Sequence, residues 1–195
     1  MTSGSRPSTS DGRTNPTRRT GCSTPPQAGA LLDAGVYGHW FARFATGAPV
    51  TSRTTGAVSE RGVDLQSVTV STADGGAQAA VTTSMTAWTP GLAVVAGSRA
   101  TVRYTEHFVF PASFALHHGA DTEGWEDRSG LRGRHGLVWQ AAALARYVDD
   151  GRTESPLHSL DDSIGIAAAL DAARAALDPG RPGVSRPRRP GRARS

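Results

Sequence analysis

Residues 29–40 read GALLDAGVYGHW, and this stretch decides the fold. From it onward Leu31, Leu32, Val36, Trp40, Phe41 and Phe44 recur at helical spacing through Ala45. That period predicts an amphipathic helix, ended by Gly47-Ala48-Pro49. Asp33 and Tyr37 stand four apart, so on such a helix a carboxylate and a phenol share one face. A pair of that kind can grip or protonate a polyol or ketone oxygen. The same two residues also suit a plain helix, with a first-turn acid favoured by the macrodipole and a tyrosine at the core edge. His39 faces another side of the helix and is assigned a structural place.

Outward from this helix the texture is that of strands. Val63–Thr72 reads as one strand, with Val63, Leu65, Val68 and Val70 supplying its apolar face. Asp74-Gly75-Gly76 is a hairpin turn, because glycine supplies the positive φ such turns need. Ala77–Thr86 returns as the partner strand. Leu92–Ala96 and Ala100–Tyr104 form a second pair across Gly97-Ser98, and Ser113–His118 is a further strand. Residues 119–134 read as a polar, glycine-rich loop. Leu137, Ala141, Leu144, Ala145 and Val148 mark a helix ending near Gly151. Ser159 with Asp162 looks like a helix start with an acid at its third position. Behind it Ile166, Leu170, Ala173 and Leu177 line one face of a last helix, closed by Pro179-Gly180. The expected class is α+β: a mostly antiparallel open sheet over residues 50–118, with the helices packed on one face and no Rossmann domain.

Charge divides the chain in three. Residues 1–27 carry +3, residues 28–180 carry −5 and residues 181–195 carry +6. The two basic ends are rich in Ser, Thr, Pro and Arg and poor in large apolar groups, so both are expected to be disordered around a domain at 28–180. A mildly acidic domain argues against nucleic acid as the partner, since such folds carry their basic patch on the structured face. The arginine-rich end at 181–195 leaves a nucleic-acid binder as a minor alternative. Cys22 is the single cysteine, so no internal disulfide forms, and a cytoplasmic setting is expected. Arg18-Arg19 is followed by no apolar core of an export signal, and no run is long enough for a membrane span. The histidines show no metal-ligand spacing, so no metal is expected. All 21 basic residues are arginine. Without lysine the chain has no amine to act as acid, base or Schiff-base former.

The Gly29–Trp40 segment resembles the signature that opens the second domain of the Gfo/Idh/MocA oxidoreductases, nearest the dihydrodiol dehydrogenase and xylose dehydrogenase branch. Further matches follow in family order. Asp74-Gly75-Gly76 and Gly97-Ser98-Arg99-Ala100 stand where the family has its hairpin turns, and Gly136 with Gln140-Ala141 where it has a helix start. Glu154-Ser155-Pro156, Leu160-Asp161-Asp162-Ser163 and Asp171-Ala-Ala-Arg174 resemble its closing pattern. The resemblance runs from Gly29 to Leu177 and implies the carboxy-terminal, substrate-side half of an NAD(P)-dependent dehydrogenase of sugars, polyols or diols. It implies Tyr37 as the acid/base group and Asp33 as the substrate contact. It also implies an open sheet face that joins subunits into a homo-oligomer.

Departures from the family bear on activity. Gln27 and Ala28 replace the first glycines of the signature, and Gln140 stands where glutamate is common. No G-x-G-x-x-G follows a strand; the nearest series, Gly130, Gly133 and Gly136, has another spacing. The family's catalytic lysine has no counterpart. The expectation is therefore a truncated enzyme that binds neither NAD nor NADP alone and is inactive unless a nucleotide-binding half is supplied in trans. The alternative is a non-catalytic dimerisation or sugar-binding remnant.

Overall fold

The structure is a computed structural model that describes residues 29–104 and 107–177, with the backbone of 184–185. The expected segments at 1–27 and 181–195 otherwise lie outside the described residues. Element order is helix, strands, two helices: α1 (Val36–Thr46), β1 (Pro49–Val58), β2 (Asp64–Ala73), β3 (Gln78–Ser84), β4 (Ala93–Ala96), β5 (Thr101–Tyr104), β6 (Ser113–His118), β7 (Asp121–Glu126), α2 (Leu137–Asp149), α3 (Leu160–Ala176) and β8 (Val184–Ser185). A π-helical turn, Leu31–Gly35, leads into α1.

The strands form two sheets, ordered β3-β2-β1-β8 and β4-β5-β6-β7. Hairpin neighbours pair antiparallel throughout; β8 alone joins β1 in parallel, so two residues of the expected tail extend the first sheet. Besides β8, two strands were not expected. β1 carries only Val50, Ala57 and Val58 among threonines, Arg53 and Gly56, so its apolar alternation is too faint to read. β7, DTEGWE, is exposed at every position and lies in what reads as a loop; it is held by ladder bonds to β6 and not by burial.

Helices α1 and α3 cover the first sheet. Between them lies the core of Leu31, Val58, Ile166, Leu170, Ala173 and Leu177, with Leu32 and Val36 against it. The expected apolar face of β2 is corrected. Val63 and Leu65 differ in parity from Val68 and Val70, and alternation puts them on opposite sides. The helices take the Ser67 and Thr69 side, both buried, while Val68 and Val70 face outward. On this side α1 comes close: a Cβ at Gly38 would lie 2.5 Å from the side chain of Val81, which stands opposite Thr69 on β3. The Ser67 and Thr69 hydroxyls are partly satisfied within the sheet, as in the 2.9 Å Thr54–Thr69 bond. The expectation that α2 packs there too is also corrected: α2 buries no residue and touches chiefly the turn Gly133–Gly136 before it.

Candidate functional site

The start of the α1 unit is fixed from three sides. Leu31 is fully buried. Its backbone N–H donates to Asp64 Oδ2 at 2.7 Å, and the Thr83 hydroxyl donates to the Ala30 carbonyl at 3.1 Å. Asp64 at the head of β2 thus supplies the acceptor that a helix start lacks. Gly29 lies directly on that carboxylate: a Cβ there would fall 1.8 Å from Asp64 Oδ1. The glycine of the signature is a steric requirement of a buried cap. Asp64 and Thr83 had no sequence signal, because a carboxylate or a threonine in a strand reads as a surface residue until the helix above it is placed.

Asp33 and Tyr37, the two expected site residues, are both exposed. The π-turn runs over Leu31–Gly35 and spans five residues per bond, so its wider winding keeps positions four apart near eclipse. The two therefore share a face of the helix unit, as the spacing implies. Trp40, Phe41 and Phe44 continue this face. Trp40 stacks on Phe44 at 5.5 Å, and Phe41 meets Tyr104 edge-on at 5.4 Å and Phe108 at 5.5 Å. Tyr104 touches Phe114, which stacks on Trp125. This row of rings connects α1 to the second sheet, so the carboxylate and phenol sit at one end of an aromatic wall.

The opposite face of α1 holds His39, which is buried against the first sheet. It lines a cavity of about 20 Å³ with Arg43, Thr69 and Ser71 and leaves its Nε2 without a hydrogen-bond partner among the described residues. Its place is structural, as expected. Burial lowers its pKa below the ordinary 6.5. The unfolded chain takes up this proton near 6.5 and the folded one resists it. The contribution of His39 is therefore fully present above 6.5 and falls as pH drops from there toward the folded value. Urea melts from about pH 7.5 to about pH 5 should show the midpoint falling, and His39→Gln should flatten that part of the profile. A profile unchanged by the substitution would count against the assignment.

The closing motifs are structural as well. Glu154 Oε2 accepts from the Leu160 N–H at 2.9 Å, so the Glu-Ser-Pro turn caps α3 from outside. Ser159 and Asp162 form the capping box expected there. Asp162 also accepts from Arg43 Nε at 2.9 Å, tying α3 to α1. That bond first, and those from Ser159, hold its pKa at about 2. Its contribution is thus present above the ordinary 3.8 and is lost only as pH falls through about 2, a window separate from that of His39. Asp171 and Arg174 approach within 3.8 Å.

Several solved structures match this architecture. A 3-ketoreductase from Actinomadura kijaniata, solved with TDP-benzene and NADP, aligns with TM-score 0.61 at 23% identity over 85% of this chain and 50% of its own. An aldose-aldose oxidoreductase from Caulobacter crescentus, complexed with glycerol, aligns with TM-score 0.64 at 20% identity over 78% of this chain and 46% of its own. An oxidoreductase from Agrobacterium radiobacter, bound to NAD+, L-tartaric acid and magnesium, reaches 0.61 at 17% identity, covering 77% and 47%. The fold is that of the Gfo/Idh/MocA-type oxidoreductases. No protein-family model matches the chain, and no curated protein does. The chain spans about half the length of these Gfo/Idh/MocA-type structures.

Among the described residues the glycine-rich loop does not have the shape of a dinucleotide site. The series Gly130, Gly133 and Gly136 does run from a strand, β7, to a helix, α2, which corrects its reading as part of a long loop. But β7 is an antiparallel edge strand, not the parallel strand of a nucleotide-binding βα unit. The loop's backbone N–H groups are also engaged: that of Ser129 donates to Asp127 Oδ1 at 2.9 Å and that of Leu131 to Ser129 Oγ at 3.2 Å. A pyrophosphate there would find them taken where it needs bare backbone N–H groups. Among the described residues no helix is long and apolar enough to cross a membrane.

Proposed function

We propose that this chain is the substrate-side half of an NAD(P)-dependent dehydrogenase of sugars, polyols or diols, inactive alone. In this reading Tyr37 exchanges a proton with a substrate oxygen, and Asp33 binds a neighbouring hydroxyl or orients the phenol. The observation that carries it is the shared exposed face of Asp33 and Tyr37 on a helix unit pinned by Asp64 and Thr83, within an oxidoreductase fold. The missing lysine and the unfit glycine loop support inactivity of the chain by itself. They equally favour the second reading, a non-catalytic module that keeps sugar affinity. Under either reading the outward face of the first sheet, with Val68 and Val70, joins subunits.

The test has two stages. Calorimetric titration of the chain with NAD and with NADP should show no binding tighter than about 100 μM, the level of about 5 kcal/mol. A nucleotide-binding half carrying a lysine is then supplied in trans and nicotinamide reduction is assayed against sugars, polyols and diols. Turnover abolished by Tyr37→Phe supports the enzyme reading. Sugar binding without turnover supports the module, and dinucleotide binding by the chain alone would overturn both.

A further inference from the structure

We propose that the arginine-rich end of this chain, residues 186–195, seats in the cavity between the head of β2 and the end of α3. The cavity measures about 390 Å³, and its walls include Val58, Gly62, Asp64, Asp171, Arg174 and Leu177. They carry two carboxylates against one guanidinium, and that guanidinium, of Arg174, lies 3.8 Å from Asp171. Asp64 is buried in the wall, whereas the Asp171 side chain is 76% exposed. The balance of charge in the cavity is negative, as it is over residues 28–180 as a whole. Such a cavity suits an arginine side chain. Its planar fork meets a carboxylate through two N–H donors, while its stem packs on apolar walls such as Val58 and Leu177.

The path of the chain selects the tail as occupant. β8 pairs with β1 in parallel, Val184 beside Gly56 and Ser185 beside Ala57. The chain therefore leaves Ser185 in the direction in which β1 runs on to Val58, a wall of the cavity. Ten residues follow, RPRRPGRARS, with five arginines and no acidic side chain. Ten residues can span about 33 Å when extended. Arg186 is the first residue beyond the strand, and Arg188 and Arg189 follow it closely. Tethering keeps these cations at the mouth of the cavity at a high effective concentration, which a free ligand does not share. The tail thus brings positive charge to a negative domain, at the point where its own strand delivers it. Asp64 also accepts the Leu31 N–H at 2.7 Å, so a guanidinium seated here lies against the carboxylate that caps the site helix.

The test is paramagnetic relaxation in the full chain. Cys22→Ser with Ser195→Cys leaves one thiol, at the end of the tail, to carry a nitroxide. Broadening should concentrate on the amides of Gly62, Asp171, Arg174 and Ala175, and it should weaken at high salt because the contact is ionic. Asp171→Arg, at an exposed position that leaves the fold intact, should lower the broadening at Gly62 and Ala175 at least about twofold. Asp171→Arg combined with Arg188→Asp and Arg189→Asp should restore it, since opposite charges then face each other again. Asp64 is left in place throughout, so the cap of the site helix is not disturbed. Broadening that spreads evenly over the domain, that Asp171→Arg leaves unchanged, or that the charge swap fails to restore would each overturn the proposal. So would equal broadening of isotope-labelled chains without a nitroxide when spin-labelled chains are added, since the tail would then seat on a second copy.

Discussion

Leu31→Ala is expected to lower the unfolding free energy by about 3–5 kcal/mol, a large part of the total for a domain of this size. Leu31 is the one large side chain among the described residues with essentially no exposure. It sits where the π-turn, the first sheet and α3 meet, against Ile166, Leu170 and Leu177. Truncation removes its transfer energy and opens a cavity that backbone anchored at Asp64 and Thr83 cannot close. Urea unfolding should show the midpoint falling at an unchanged slope. A loss below about 1.5 kcal/mol would mean that the site repacks and that the helix start is softer than its contacts suggest.

Gly29→Ala is expected to cost about 2–4 kcal/mol, although it adds a single methyl group at the edge of a helix. The new Cβ would fall 1.8 Å from Asp64 Oδ1 and 2.5 Å from its Cγ, so the carboxylate has to leave. On leaving, it gives up the 2.7 Å bond from the Leu31 N–H and strands a buried donor. The double-mutant cycle isolates the cause. In an Asp64→Ala background the space is vacant and the donor already unpaired, so Gly29→Ala should cost clearly less than in the parent, the remainder being the strain of a Cβ at φ +158°. Full additivity of the two substitutions would refute the account of Gly29 as the seat of a buried cap.

Much of this molecule was legible in its sequence, and the legible parts share a property. The α1, α2 and α3 segments carry a 3.6-residue apolar period, and the turns at Asp74-Gly75-Gly76 and Gly97-Ser98 carry glycine where the chain reverses. Ser159 with Asp162 marked a helix start that the structure forms as a capping box. Asp33 and Tyr37 were placed on one face by spacing alone. Each of these is a local relation, decided by backbone geometry within a few residues.

The parts that were not legible depend on a neighbour remote in sequence. β1 and β7 are strands because β2 and β6 offer them ladder bonds, and their own side chains say little. The inner face of β2 is the serine and threonine face because the helices settle on that side, a fact that belongs to the packing of helix on sheet. Asp64 is ordinary as a letter and becomes the cap of the site helix only through contact across 33 residues. The sequence determined the helices, the hairpins and the antiparallel class, and it put Asp33 and Tyr37 on one face of a helix. Only the tertiary structure decided which face of each element is buried, because burial depends on how closely two surfaces can approach, and that distance is set by both of them together.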